Sequence, residues 1–159
     1  SFTGVVLDAK VASFDKTIDL AVLEIDEGNN YLKGADVSLA NVRYGEFVVA
    51  LGSPLSFENS VTAGIVSNPK REWDDVYYIQ SDAATHVGNS GGPIVDVDGK
   101  VIGITSLKIA DGVSFAIPIK DAIATLRRLM QQSQINNEDS SSRKTQIYWK
   151  SQSSLKMRC

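Results

Sequence analysis

The sequence predicts an all-β protein, a barrel or sandwich of short strands with one helix near the C-terminus. Runs of β-branched and aromatic residues recur at short intervals, with turn residues rather than helical patterns between them. One helical periodicity is credible, and it begins directly after Pro118. A glycine-rich loop around Ser90 precedes a hairpin signal, so this loop is expected to lie between strands.

Six short strands are predicted from the β-branched and aromatic runs, in addition to the hairpin after Ser90. They cover residues 4–14, 18–25, 46–51, 60–67, 76–80 and 112–117. Asp15-Lys16-Thr17 forms the turn between the first two strands. Residues 26–45 are polar and contain glycine breakers, so no regular element is predicted there.

The stretch 119–132 is predicted to be an amphipathic helix, because its apolar residues recur every three or four positions. Pro118 precedes it, and Asp121 lies in its first turn, where a carboxylate complements the helix dipole. Docking on the barrel is favoured over a membrane-surface role, because the basic pair Arg127-Arg128 is small.

The chain divides into a domain and a tail. Residues 1–132 carry all the periodic segments, whereas residues 133–159 are rich in Ser, Gln and Asn and lack periodicity. We therefore predict one domain over 1–132 and a disordered polar tail over 133–159.

Composition bounds the class of protein. With 159 residues, of which 43% are hydrophobic and 22% charged, the chain suits one globular domain. A net charge of −3 argues against nucleic acid as a partner, and no apolar run is long enough to span a bilayer.

Cys159 has no partner within the chain, and neither a cofactor nor a metal site is predicted. The start of the sequence shows no targeting segment, so the compartment is left open.

The segment Gly88-Asn89-Ser90-Gly91-Gly92 fits the pattern G-x-S-x-G. This pattern occurs in a strand–turn–helix nucleophile elbow, and also in a nucleophile loop between strands of an antiparallel barrel. Pro93 follows, and then two β-branched runs joined at Asp98-Gly99, a strong hairpin signal. The nucleophile elbow needs a helix after the serine. Because a hairpin is predicted there instead, the loop of an antiparallel barrel is favoured. A plain flexible turn is disfavoured, because it has no need of three glycines around one serine.

Several stretches, in order across residues 4–130, resemble the HtrA/Deg family of trypsin-like serine proteases. The matching stretches are residues 17–25, 45–54, 61–67, 78–84, the serine loop and residues 112–118. The resemblance implies a trypsin-like double β-barrel, of which this chain would hold the end of the first barrel and all of the second. Open strand edges are then expected in the first barrel. Family members usually carry a PDZ domain after the helix, and the tail is too short and polar to form one.

The resemblance also implies an activity, that of a serine endopeptidase in protein quality control. Ser90 would be the nucleophile, Asp19 the carboxylate that orients the base, and the N–H groups of Gly88 and Ser90 the oxyanion hole. Substrate would be bound by residues on two walls of the specificity pocket, namely Thr85, His86, Val87, Thr105, Ser106 and Leu107. No acidic residue stands at the expected pocket base, so a small aliphatic side chain is expected before the scissile bond.

The catalytic base is the unmatched part of the resemblance. The family order His…Asp…Ser places the histidine before Asp19, and residues 1–18 contain none. The single histidine, His86, precedes Ser90 by four residues and is favoured as a loop or pocket-wall residue over a catalytic base. Two functions stay open: an HtrA/Deg endopeptidase whose histidine is absent from this sequence, and an inactive truncated isoform or pseudoprotease that binds peptides or regulates other subunits.

The resemblance suggests partners as well. These are unfolded or extended polypeptide substrates, and either further copies of the chain or a full-length family member. Family members are mitochondrial, secreted, chloroplast or periplasmic, so the resemblance does not assign a compartment.

Overall fold

The computed structural model describes residues 8–25, 34–53, 60–136 and 148–150, and these ranges contain nine strands and one helix. The strands are β1 (Ala9–Asp15), β2 (Leu20–Ile25), β3 (Phe47–Gly52), β4 (Ser60–Trp73), β5 (Val76–Ser81), β6 (Pro93–Val95), β7 (Val101–Ala110), β8 (Val113–Pro118) and β9 (Tyr148–Lys150). The helix α1 spans Ile119–Asn136.

Six of the strands close into an antiparallel barrel in the order β3-β4-β5-β8-β7-β6, and β1, β2 and β9 form a separate three-stranded sheet. The predicted all-β class with a C-terminal helix is confirmed, and the closed barrel is the predicted complete second barrel. The β1–β2 sheet stands where the end of the first barrel was expected.

The barrel interior is filled by small and β-branched side chains from each of its six strands. Because side chains alternate between the two faces of a strand, the even positions of β3 point inward together. The buried members of this cluster are Val48, Ala50, Val66, Ile79, Ala83, Ile94, Ile102 and Ala116.

A second buried cluster joins the small sheet and the helix to the outer face of the barrel. Leu20 of β2 packs with Tyr78, Phe115 and Ile117 of the barrel and with Ile119 at the start of α1. The ring of Tyr78 stacks on that of Phe115, with centroids 5.4 Å apart. Since Leu20 follows Asp19 directly, this packing fixes the position of the predicted catalytic carboxylate relative to the barrel.

The helix docks on the small sheet as well as on the barrel, where docking was predicted. Ala122, Leu126 and Leu129 face β2 and leave a space of only about 10 Å³ between the two elements. At the same contact, the Arg128 guanidinium donates to the Asp15 carboxylate. Burial raises the pKa of Asp15, but the Thr17 N–H and the Arg128 guanidinium outweigh it and hold the pKa below its usual value. Among the described residues, no helix is both long and apolar enough to cross a membrane.

Strand β4 is longer than predicted, because it continues through a polar run to Trp73 instead of ending at residue 67. The added residues form an exposed hairpin arm with β5, in which Trp73 pairs with Val76. Asp74 and Asp75 make the two-residue turn with φ of 50° and 59°. Positive φ at both positions is the requirement of a type I′ hairpin turn, and Asp tolerates it better than most residues.

The structure departs from the predicted disordered tail in two places. Helix α1 continues to Asn136, four residues past the predicted end, and residues 148–150 form β9. Strand β9 pairs antiparallel with β2, with Trp149 opposite Val22. The remaining residues of the predicted tail lie outside the described ranges. A strand from the tail thus covers a β2 edge that the partial first barrel was expected to leave open.

Substituting Trp149 with proline is expected to release the tail strand. Proline has no N–H, and residue 149 is the central one of the three-residue ladder with β2. We expect the β2 amides that face β9 to exchange with solvent deuterium at least tenfold faster, as measured by mass spectrometry. Ser153→Pro, in the same tail but outside β9, is the matched control and should leave β2 unchanged. Equal exchange in both variants would mean that β9 does not protect β2.

Candidate active site

The serine loop lies between β5 and β6 and is held by backbone hydrogen bonds. The Asn89 N–H donates to the His86 carbonyl at 3.0 Å, which closes a β-turn, and Gly88 in that turn has a φ of 109°. Positive φ at the third position is characteristic of a type II turn and explains the glycine. The Gly91 N–H donates to the Thr105 carbonyl at 2.7 Å, which ties the loop to β7.

The Ser90 hydroxyl is half-buried and donates to the carbonyl of Ser106 at 2.9 Å. Ser106 lies at a bulge in β7, because Thr105 is opposite Ala116 while Leu107 is opposite Phe115. A bulge leaves one residue outside the regular ladder and turns its backbone. Here it presents the Ser106 carbonyl to Ser90, so the predicted nucleophile and one predicted substrate-binding residue are in direct contact.

The backbone N–H groups of Gly88 and Ser90 donate to no other residue within the described part of the chain. Their neighbours Asn89, Gly91 and Gly92 do donate to backbone carbonyls of the loop or of β7. The loop therefore leaves these two N–H groups beside the serine hydroxyl without a described backbone acceptor, and an oxyanion hole needs donors of this kind.

Close contacts between the serine loop and the end of β3 fix the position of the loop. A Cβ on Gly92 would lie 2.2 Å from the Leu51 carbonyl oxygen, and one on Gly52 would lie 2.7 Å from Oδ1 of Asn89. Asn89 is only 1% exposed, and within the described ranges its Oδ1 has no hydrogen-bond partner. Sequence reasoning missed Gly52 and Asn89 as supports of the site. Gly52 could be seen in the sequence at the end of a predicted strand. A glycine there is also explained by the end of the strand alone, so it did not indicate a contact with the serine loop.

The predicted pocket residues fall into two groups by exposure. Thr85, Thr105 and Ser106 are buried, whereas His86 and Val87 are exposed, Val87 at 85%. Leu107 is half-buried and packs against the outer core.

Ser114 of β8 belongs to the same region but was not predicted. Its Oγ lies 2.6 Å from Oγ1 of Thr85 and donates to the Ala83 carbonyl at 3.0 Å. Thr85 and Ser114 are 29 residues apart, so no local sequence pattern could have paired them.

Asp19 forms the last turn residue before β2, and its φ of 55° is unusual for a residue other than glycine. Burial, and then the charges of Asp19 and Asp74, raise the pKa of Tyr78. Leu20, the next residue, packs against the barrel. The role of Asp19 as the carboxylate that orients the base stays a prediction.

His86 lies near the β7–β8 turn. The Lys108 ammonium, bonded to the Asp111 carboxylate at 2.6 Å, is the main cause of the lowered pKa of Asp111, and the charge of His86 adds a smaller effect. Among the described residues, no hydrogen bond joins His86 to Ser90, whose hydroxyl is bonded to Ser106 instead. His86 is therefore an exposed loop residue, and its place in the pocket wall stays a prediction.

The described ranges contain no group of three or more His, Cys, Asp or Glu side chains gathered as a metal site would need.

Comparison with known proteins places this site in a family context. Residues 1–104 match the family model of the trypsin-like peptidase domain. The chain is 46% identical over 123 residues to the serine protease HTRA1B of Danio rerio, covering 73% of this chain and 26% of that protein. It is 45% identical, again over 73% of its length, to the mitochondrial serine protease HTRA2 of Drosophila virilis, of which it covers 29%. This chain therefore spans about a quarter of the length of these relatives.

A solved structure is also similar. The HtrA-type protease AlgW with decapeptide superposes with a TM-score of 0.75 at 32% identity, over 80% of this chain and 42% of that one.

Proposed function

Because this chain belongs to the trypsin-like peptidase family and carries part of an HtrA-type serine protease domain, we propose that it is an HtrA/Deg serine endopeptidase acting through Ser90. The observation that carries the proposal is the serine loop itself. It places a half-buried serine hydroxyl beside the N–H groups of Gly88 and Ser90, two positions apart, for which no described backbone acceptor is found.

In the proposed reaction, Ser90 Oγ attacks the carbonyl carbon of the scissile bond while a base takes its proton. The oxyanion of the tetrahedral intermediate accepts hydrogen bonds from the Gly88 and Ser90 N–H groups. The base then returns the proton to the leaving amine, and the peptide remains as an ester on Ser90. Water hydrolyses this ester by the same steps, which restores the Ser90 hydroxyl.

The base is proposed to be a histidine supplied from outside these 159 residues, held by Asp19. A carboxylate in this role keeps the imidazole in the correct tautomer and stabilises its cation. The packing of Leu20, the next residue, against the barrel supports a position of Asp19 beside it. His86 is not proposed as the base, because it is exposed and is near Lys108 and Asp111.

The substrate is proposed to bind as an added strand along β7. Strand β6 accompanies β7 only as far as Ile104, and beyond Thr105 the described β7 residues pair with β8 alone. One edge of residues 106–110 is therefore open to an extended polypeptide, whose backbone would pair with it. Thr85, His86, Val87, Thr105, Ser106 and Leu107 would then surround the side chain before the scissile bond.

A second candidate function is a catalytically inactive chain that binds peptides or regulates other subunits. It is favoured by one observation: the Ser90 hydroxyl donates to a backbone carbonyl, and the single histidine of the sequence is not bonded to it. Such a chain would keep the β7 edge and lose turnover.

The two functions are separated by labelling the full chain with a fluorophosphonate probe and locating the adduct by peptide mass spectrometry. For the endopeptidase, we expect an adduct on Ser90 that forms faster when imidazole is added, because free imidazole can replace a base that these residues do not hold. His86→Ala is expected to leave the labelling rate within twofold. A loss of about 10⁴-fold in His86→Ala would instead identify His86 as the base. No adduct on Ser90, with or without imidazole, would favour the inactive, peptide-binding function.

A further inference from the structure

A groove on the barrel is lined by residues 38 and 40–42 and by residues of β4, β5, β7, β8 and the start of α1. Its volume is about 450 Å³, within the usual range of ligand sites, and barrel mouths are common places for such sites. Ile102 in its floor precedes Ser106 by four residues, which is roughly 13 Å along an extended strand. We call it the distal groove, because it shares no lining residue with the candidate active site.

The floor of the distal groove is aliphatic and its rim is positively charged. Ile79 and Ile102, both from the barrel interior, are 1% and 4% exposed, and Val42 packs beside them. Lys70 and Lys120 line the rim from β4 and α1. Asp121 is the one acidic residue among the lining side chains, so the groove carries a net charge of +1.

Neither rim lysine forms an ion pair within the described ranges. The Lys70 ammonium lies over the ring of Tyr77, 4.4 Å from its centroid, and Lys120 donates to Oδ1 of Asn41 at 2.8 Å. The Tyr77 ring and the Asn41 amide hold these ammonium groups at the rim. Neither partner carries a negative charge, so the positive charge of each lysine is not compensated. Both lysines are therefore available to a carboxylate of a ligand.

One wall of the groove is formed by residues 38 and 40–42, which lie outside the strands. In the segment 39–42, no backbone group forms a hydrogen bond to another described backbone group, although Ser38 before it bonds to Val101. Extended polypeptides are recognised through such backbone groups, with side-chain pockets adding selectivity. The floor would take an aliphatic side chain, and the lysines would take acidic residues next to it.

We propose that the distal groove binds an extended, acidic polypeptide segment with aliphatic side chains between its carboxylates. The proposal does not rest on catalysis by Ser90, because no group of the active site takes part. Such a site would hold a polypeptide at a second point, away from the β7 edge.

The test is a binding titration with the full chain carrying Ser90→Ala, so that no cleavage enters. The probe is a fluorescein-labelled octapeptide of alternating glutamate and valine, followed by fluorescence anisotropy. We expect Lys70→Ala and Lys120→Ala each to weaken binding about three- to fivefold, with a larger loss in the double variant. Lys16→Ala, in the β1–β2 turn and outside the groove lining, is the matched control and should bind normally, since the Lys16 ammonium also lies over an aromatic ring, that of Phe14. Ala40→Trp, at an exposed wall position, should block binding by filling the groove.

Two results would overturn the proposal. One is equal binding of an octapeptide of alternating lysine and valine, since this peptide keeps the apolar side chains and reverses the charge. The other is protection from hydrogen exchange at residues 106–110 instead of 38–42 on binding, since the peptide would then occupy the proposed substrate edge of β7.

Discussion

Replacing Ser90 with alanine is expected to abolish fluorophosphonate labelling of this chain completely, because the variant lacks the one oxygen that the loop presents for attack. In a form of the protein that also carries its base, we expect kcat for peptide hydrolysis to fall about 10⁶-fold. The measurements are the adduct mass and the rate of cleavage of an unfolded protein substrate.

The Ser90→Ala variant should remain folded, which separates chemistry from stability. Its Oγ makes one hydrogen bond, to the Ser106 carbonyl, and losing such a bond costs about 1 kcal/mol. We therefore expect the thermal midpoint to fall by a few degrees at most. Ser13→Ala, on β1 and away from the loop, is the matched control and should keep full labelling. An adduct of equal yield in Ser90→Ala would show that another serine reacts and would remove the basis of the proposed mechanism.

The strands and the serine loop could be predicted because their signals are local. β-Branched runs such as Val48–Leu51 fit the faces of a barrel, and glycines around a serine fit a tight loop. The extension of β4 to Trp73 could not be predicted, because an exposed hairpin arm carries no buried face and its polar run resembles a loop. Strand β9 was missed for a similar reason, since three residues are too few to show alternation.

The contacts that support the site are invisible to local reasoning because they join distant residues. Gly52 must be small because Asn89 lies against it, and Thr85 bonds to Ser114 across the barrel. The bulge at Ser106 exists only as a register shift between β7 and β8. A single sequence records these requirements as one glycine, one threonine and one serine among many, so the serine loop could be predicted while the contacts that support it could not.

Replacing Gly92 with alanine is expected to destabilise the protein by about 2–4 kcal/mol, because the added methyl group has no room. Its Cβ would lie 2.2 Å from the Leu51 carbonyl oxygen and 2.9 Å from that of Asn89, and both are backbone atoms that no rotamer change can move. For a domain of this size the thermal midpoint should fall by roughly 10 °C, as measured by calorimetry. Any protein that remains folded must shift the loop, so labelling of Ser90 should fall as well.

Two glycine variants separate this steric effect from other costs of adding a methyl group. Gly34→Ala meets no atom within 4 Å and should change the free energy of unfolding by less than about 0.5 kcal/mol. Gly99→Ala also has open space, but its φ of 76° should cost about 1 kcal/mol through backbone strain alone. If steric overlap is the cause, Gly92→Ala must lower the free energy of unfolding more than either Gly34→Ala or Gly99→Ala does. If the thermal midpoint of Gly92→Ala matched that of Gly34→Ala, the backbone at Leu51 would be able to move away from the added methyl group. Contact with Leu51 would then not fix the position of Ser90, and the geometry of the site would need another cause.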